Sequence, residues 1–158
     1  MYKNCQDINM DHIVKKLSPN DISLARQLIL LFQTEFEEKY TQISEDNYLL
    51  DLLSKDSFHV FVAMKDEIVI GGLTAYELPM FNEETKEMFL YDIAVDKNHW
   101  QKGIAKELIN TLKHVCGDKN IKIIFVGTDT YNEVAKKLYK STGAEMEEIA
   151  WFTYGLGE

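Results

Sequence analysis

From Phe89 to Ala105 the chain reads FLYDIAVDKNHWQKGIA. Its first half belongs to an apolar run of strand character, Met88 to Val95. Its second half turns through a short loop into Gly103 and then into a helix. That helix carries Ile104, Leu108, Ile109, Leu112 and Val115 on one face. A strand that feeds a helix through a glycine loop leaves first-turn N–H groups without partners. With the positive end of the helix dipole they form an anion site suited to phosphate. The loop therefore points to a phosphorylated cofactor, with a tight strand–helix turn as the plainer alternative. Neither G-x-G-x-x-G nor G-x-x-x-x-G-K-[ST] occurs, so the dinucleotide and P-loop readings fail.

A second segment, Asn132, Ala135, Leu138, Tyr139 and Gly143, spells N-x-x-A-x-x-L-Y-x-x-x-G. Ala135, Leu138 and Tyr139 share one helix face, and Gly143 stands where a C-terminal cap is needed. With these two segments the chain resembles the GCN5-related N-acetyltransferases. The family's loop motif is [QR]-x-x-G-x-[GA]; Gly103 and Ala105 fill its last two positions, and Trp100 replaces the Gln or Arg. The runs DNYLLDLLSKDSF, GGLTAYELPMF and YDIAV…GIAKELINTLKH extend the likeness to the small (type I) aminoglycoside 3-N-acetyltransferases, over roughly Leu30 to Phe152.

The chain has 158 residues, 46% of them hydrophobic, which suits a single domain, 1–158, with a substantial core. There is no run of eighteen apolar residues and no apolar N-terminal signal region, so no membrane span and a cytoplasmic location are expected. Two cysteines, Cys5 and Cys116, make no disulfide framework; the four histidines are scattered, so no metal is expected. A net charge of −9 argues against nucleic acid and suits a small cationic substrate, although ordinary solubility explains it too.

Pattern places strands at 13–17, 58–64, 68–77, 88–95, 121–127 and 146–154, and helices at about 18–39, 46–53, 103–116 and 131–141. Ser18 and Pro19 mark the first helix start. Lys65-Asp66-Glu67 joins a hairpin. The order β-α-α-β-β-β-α-β-α-β implies an α/β (α+β) fold with a mixed sheet and helices on both faces. The resemblance implies the same fold, with a mostly antiparallel sheet.

Asp92 interrupts an otherwise apolar strand. A buried carboxylate needs a partner: either a substrate ammonium, with Asp92 as base or anchor, or a donor inside the protein. Asp129 follows the strand 121–127 and reads as a second amine-binding carboxylate or as a turn and cap residue. Glu35, Glu38 and Glu77 either line a cleft for a polycation or form solvated faces.

The resemblance implies acetyl-CoA (coenzyme A) as cofactor. It implies that the backbone of Ile93, Ala94 and Val95 holds the pantetheine arm. It implies that Gln101, Lys102, Gly103, Ile104 and Ala105 cradle the pyrophosphate, with Asn132 and Tyr139 also at the cofactor. Tyr139 would protonate the leaving thiolate, its alternative being a packed core tyrosine. The expected activity is acetylation of an aminoglycoside at the 3-amino group of its deoxystreptamine ring, giving antibiotic resistance. A polyamine, metabolite or protein amine as substrate, and a non-catalytic acyl-CoA-binding role, are the alternatives. A homodimer through Trp151, Phe152 and Tyr154 of the last strand is a further expectation.

Overall fold

The computed structural model describes residues 11–37 and 42–157; Glu38 and Cys5 lie outside the described residues. The chain falls into two compact units, Met1–Gly127 and Thr128–Glu158.

The first unit is built on one sheet of strands β1 (Ile13–Lys16), β2 (Phe58–Lys65), β3 (Ile68–Pro79), β4 (Lys86–Val95) and β5 (Ile124–Phe125). They lie in sequence order, antiparallel except for the parallel β4–β5 pair. Helices α1 (Ile22–Glu35), α2 (Asp46–Leu53) and α3 (Ile104–Asp118) complete the unit. The mixed, mostly antiparallel sheet and the helices agree with the expected fold class.

α1 packs on β3 and β4, and α3 on β2, β3 and β4. Ala25, Leu28 and Phe32 of α1 join Val60, Val62, Val69 and Ala94 in one buried cluster. Phe61 and Leu73 face the other way by strand alternation and are also fully buried, so the sheet is covered on both sides. α1 comes so close to β3 that a Cβ on Gly72 would stand 2.5 Å from a Leu28 methyl and 2.7 Å from the Phe61 carbonyl. The β2–β3 hairpin turns through Asp66 (φ 50°) and Glu67 (φ 66°), the two positive φ values of a tight two-residue turn.

Two boundaries differ from expectation for visible reasons. α1 begins at Ile22 rather than Ser18. The Asp21 carboxylate accepts from the Ser18 N–H (2.8 Å), the Ser18 hydroxyl (2.7 Å) and Lys15 (2.6 Å). That closes residues 18–21 into a turn before the helix. The strand expected over 121–127 shrinks to Ile124–Phe125. Ile121 donates to the Cys116 carbonyl (2.8 Å) and so closes the end of α3 instead.

The second unit holds α4 (Glu133–Ser141). The Asn132 side chain caps its start, accepting from the Ala135 N–H at 3.0 Å. Its end is a Schellman turn: Gly143 (φ 93°) donates to the Lys140 carbonyl, and Ala144 to that of Tyr139. The strand expected over 146–154 is absent. A strand exists only through its ladder, and none of the five paired strands includes these residues. Their β-favouring side chains, Trp151, Phe152 and Tyr154 among them, are exposed.

Candidate active site

β4 is the strand that carries the candidate chemistry, and its two halves are paired differently. Met88 and Phe89 pair with Ile124 and Phe125 of β5, and the β5 ladder stops there. From that point β3 is the partner strand. Across β3, Thr74 faces Asp92 but Ala75 faces Leu90, which leaves Tyr91 as an extra residue on β4. Such a bulge re-aims everything after it.

The direction of the backbone groups follows. In an antiparallel ladder, residues that exchange N–H and C=O with the partner alternate with residues that turn them away. Asp96 donates to the Ile70 carbonyl at 2.9 Å, so Asp96 and Ala94 address β3. Ile93 and Val95 therefore turn their N–H and C=O groups toward the edge that β5 has left. The structure thereby separates Ala94, which faces β3, from Ile93 and Val95, which face the open edge.

Asp92 is half-buried, and the Thr74 hydroxyl donates to it at 3.2 Å. An aromatic row runs beside it: Phe58 against Tyr76 (centroids 4.7 Å apart), Tyr76 against Tyr91 (5.6 Å), Tyr91 against Phe89 (5.4 Å) and Phe89 against Phe125 (4.9 Å). Burial pushes the Tyr76 hydroxyl above its ordinary pKa, and the charges of Tyr48, Tyr91 and Asp92 add to the effect. Sequence reasoning passed over Thr74, Tyr76 and Tyr91. Only the register brings Thr74 and Tyr76 to Asp92, whereas Tyr91 precedes it directly in the chain.

Beyond β4, a single 3-10 turn, Lys97–His99, leads to the loop before α3. The Asp96 side chain accepts from the Asn98 N–H (2.8 Å) to form that turn. Gln101 (φ 61°) and Gly103 (φ 82°) both take left-handed backbone, which swings the chain into α3. No side chain caps the helix start. The first turn thus offers its N–H groups, as an anion site requires. His12 meets Glu107 of that first turn, Nε2 to Oε2 at 2.6 Å. The Trp100 indole N–H donates to the Val95 carbonyl at 2.6 Å.

The other expected carboxylates separate. Glu35 ends α1 and is half-exposed. Glu77 does not line a cleft: it is 4% exposed. His59 Nε2 (2.7 Å) and Lys119 (2.6 Å) meet one of its oxygens, and Lys86 (2.7 Å) meets the other. Burial alone would raise its pKa, but the bonds from Lys119, Lys86 and His59 outweigh burial and bring it down to about 2. Burial holds His59 below its ordinary pKa, against the pull of Glu77. A neutral ring fits the geometry, with Nε2–H assigned as the donor and Nδ1 buried without a partner among the described residues. Cys116 is buried nearby, its thiol pushed up to about 11 by burial and then by the Glu77 charge.

In the second unit, Asp129 does not cap α4. Its carboxylate accepts from the Tyr131 hydroxyl (3.0 Å) and its carbonyl from the Asn132 N–H (2.9 Å). Tyr139 is half-buried, and burial raises its pKa. Among the described residues no helix is long and apolar enough to cross a membrane. No group of three or more His, Cys, Asp or Glu among them is placed to hold a metal.

The sequence model of the acetyltransferase (GNAT) family matches residues 25–144, through the bulged strand, the glycine loop and α4. The chain belongs to the acetyltransferase (GNAT) family. An aminoglycoside acetyltransferase from an uncultured soil metagenomic sample, solved with trehalose, superposes with a TM-score of 0.91 at 34% identity. The match covers 96% of this chain and 100% of that one. The structure of that acetyltransferase with sisomicin gives 0.90 at 33% identity, with the same coverage. Human N-acetyltransferase 8 is 30% identical over 100 residues, 63% of this chain and 44% of the relative. This GNAT chain spans less than half the length of the curated relatives it matches.

Proposed function

We propose that the protein transfers an acetyl group from acetyl-CoA to an amine of an aminoglycoside, at the 3-amino group of the deoxystreptamine ring. Such acetylation confers resistance, because it removes a positive charge that the drug uses to bind RNA. The observation that carries this reading is the full-length likeness to an aminoglycoside acetyltransferase, 34% identical over 96% of this chain. The composition supports it: a net charge of −9 favours a polycation.

The residues fit the cofactor in two places. The uncapped start of α3 at Gly103 suits a pyrophosphate, with Gln101, Lys102, Ile104 and Ala105 around it. The open edge at Ile93 and Val95 suits an amide-bearing arm that pairs as a strand does. When bound, acetyl-CoA supplies an acetyl thioester.

The chain's own residues do the rest. Asp92 anchors the substrate ammonium and takes, directly or through water, the proton that the amine sheds as it attacks. Tyr76 and Tyr91 flank that carboxylate with aromatic surface, which suits an ammonium group. The Ile93 N–H donates to the acyl oxygen as it gains charge. Tyr139 returns a proton to the sulfur. The roles of Asn132 and Tyr139 rest on the N-x-x-A-x-x-L-Y-x-x-x-G motif alone. Glu35, Glu38 and Asp129 are the further carboxylates assigned to the drug's remaining amines; Glu77, with both oxygens engaged, is not among them.

Thiol release from acetyl-CoA, followed against gentamicin, a kanamycin-type drug, spermidine and a lysine peptide, tests the reading. Turnover on gentamicin with a product acetylated at the 3-amino group is expected. Turnover on spermidine or the peptide alone overturns the substrate. Coenzyme A binding without turnover on any amine overturns the activity.

A further inference from the structure

Trp100 occupies the position where the loop motif carries Gln or Arg, and its indole N–H donates to the Val95 carbonyl at 2.6 Å. That carbonyl has a particular direction. The Asp96 N–H bond to Ile70 sets the alternation of the β3–β4 ladder, and the alternation turns the N–H and C=O of Val95 to the open edge of β4. Trp100 therefore consumes one of the outward-facing acceptors on the strand that β5 has left unpaired. The Ile93 N–H, the Ile93 carbonyl and the Val95 N–H remain as outward-facing groups.

The bond also spans a defined piece of chain. It ties the last residue of β4 to the residue just before Gln101 and Gly103, whose left-handed backbone starts α3. One side chain thus fixes the spacing between the open strand edge and the anion-binding helix start. Trp100 is still 47% exposed, so it sits at the mouth of this corner rather than inside the core.

We propose that Trp100 is a positioning residue for the cofactor. By closing the Val95 carbonyl it ends the readable strand edge and sets the register of the pantetheine arm. By bridging to the loop it holds the uncapped α3 start at the distance the pyrophosphate requires. The loop motif's Gln or Arg side chain is replaced by a brace made within the protein. This inference rests on the acetyl-CoA reading above.

The experiment is calorimetric titration with coenzyme A of the wild type and of Trp100→Phe, which keeps a ring and loses the donor, alongside steady-state kinetics. The loss of one hydrogen bond predicts an increase of about fivefold in the Kd for coenzyme A and in the KM for acetyl-CoA, with kcat changed less than twofold. A second measurement keeps Trp100 in place: in Trp151→Phe, Trp100 is the sole tryptophan. Its emission is expected to shift on coenzyme A binding. Equal affinity of wild type and Trp100→Phe, or coenzyme A binding that leaves the emission unchanged, overturns the positioning role while leaving the cofactor reading intact. Failure of the wild type itself to bind coenzyme A overturns both.

Discussion

The two halves of β4 share a strand, a sheet and a helix layer, yet they are built for different ends. The half before Tyr91 is paired on both sides, with β3 along its length and with β5 at Met88 and Phe89. It lies beside the Glu77 cluster, where a carboxylate, two lysines and a histidine satisfy one another. The half after Tyr91 has β3 as its partner strand and turns Ile93 and Val95 outward. Its carboxylate, Asp92, is half-buried, with Thr74 as a hydrogen-bond donor. One inserted residue, Tyr91, separates the half of β4 that pairs on both sides from the half that turns Ile93 and Val95 outward.

Replacement of the two carboxylates tests that contrast most sharply. Asp92→Asn is expected to lower kcat by about 100-fold or more, with coenzyme A affinity and thermal stability close to wild type. A near-wild-type pH–rate profile would remove Asp92 from the mechanism. Glu77→Gln is expected to do the reverse. It leaves Lys86, Lys119 and His59 without their anion, and the urea-unfolding free energy should fall by about 2 kcal/mol. Turnover of the folded fraction should hold within twofold. A large loss of turnover at unchanged stability would place Glu77 in the chemistry after all.

Tyr139→Phe sets a smaller effect, a drop in kcat of about tenfold, because water can protonate a thiolate. No change would leave Tyr139 as a packing residue.

Acidification probes the Glu77–His59 pair, together with the other carboxylates held low, Asp11, Asp21 and Glu133. Glu77 lies at about 2 in the fold against an ordinary 4.5, so the unfolded chain binds more protons between those values. Its contribution is complete above about pH 4.5 and is lost as the pH falls toward 2. His59 is depressed below 6.5, so the unfolded chain takes up its proton first, and stability declines as the pH drops below 6.5. Both act in one direction. A fall in Tm between pH 7 and pH 5 that persists unchanged in His59→Gln would show that His59 is not its source.

Much of the architecture was legible in the sequence because local patterns carry it. α2, Asp46–Leu53, has its expected bounds, and the hairpin turns at Asp66-Glu67, within the polar stretch Lys65-Asp66-Glu67 that interrupts two apolar runs. The Gly143 cap was legible because a left-handed terminus selects glycine. The misses are tertiary. The apolar content of β4 hides its alternation, so nothing in the sequence marks Tyr91 as the extra residue. Glu77 reads as a cleft carboxylate or a solvated one, because its partners come from β2, the start of β4 and the end of α3. Met146 to Tyr154 has strand composition, but composition does not supply a neighbour to pair with.

Cys116 gives this molecule a clock of its own. Its thiol is buried on the inner face of α3 and pushed up to about 11, so at neutral pH almost none of it is the reactive thiolate and none of that is within a reagent's reach. Alkylation of Cys116 must wait for α3 to lift from the sheet. Where that opening equilibrates quickly, the labelling rate measures the fraction of molecules in which α3 has left its place.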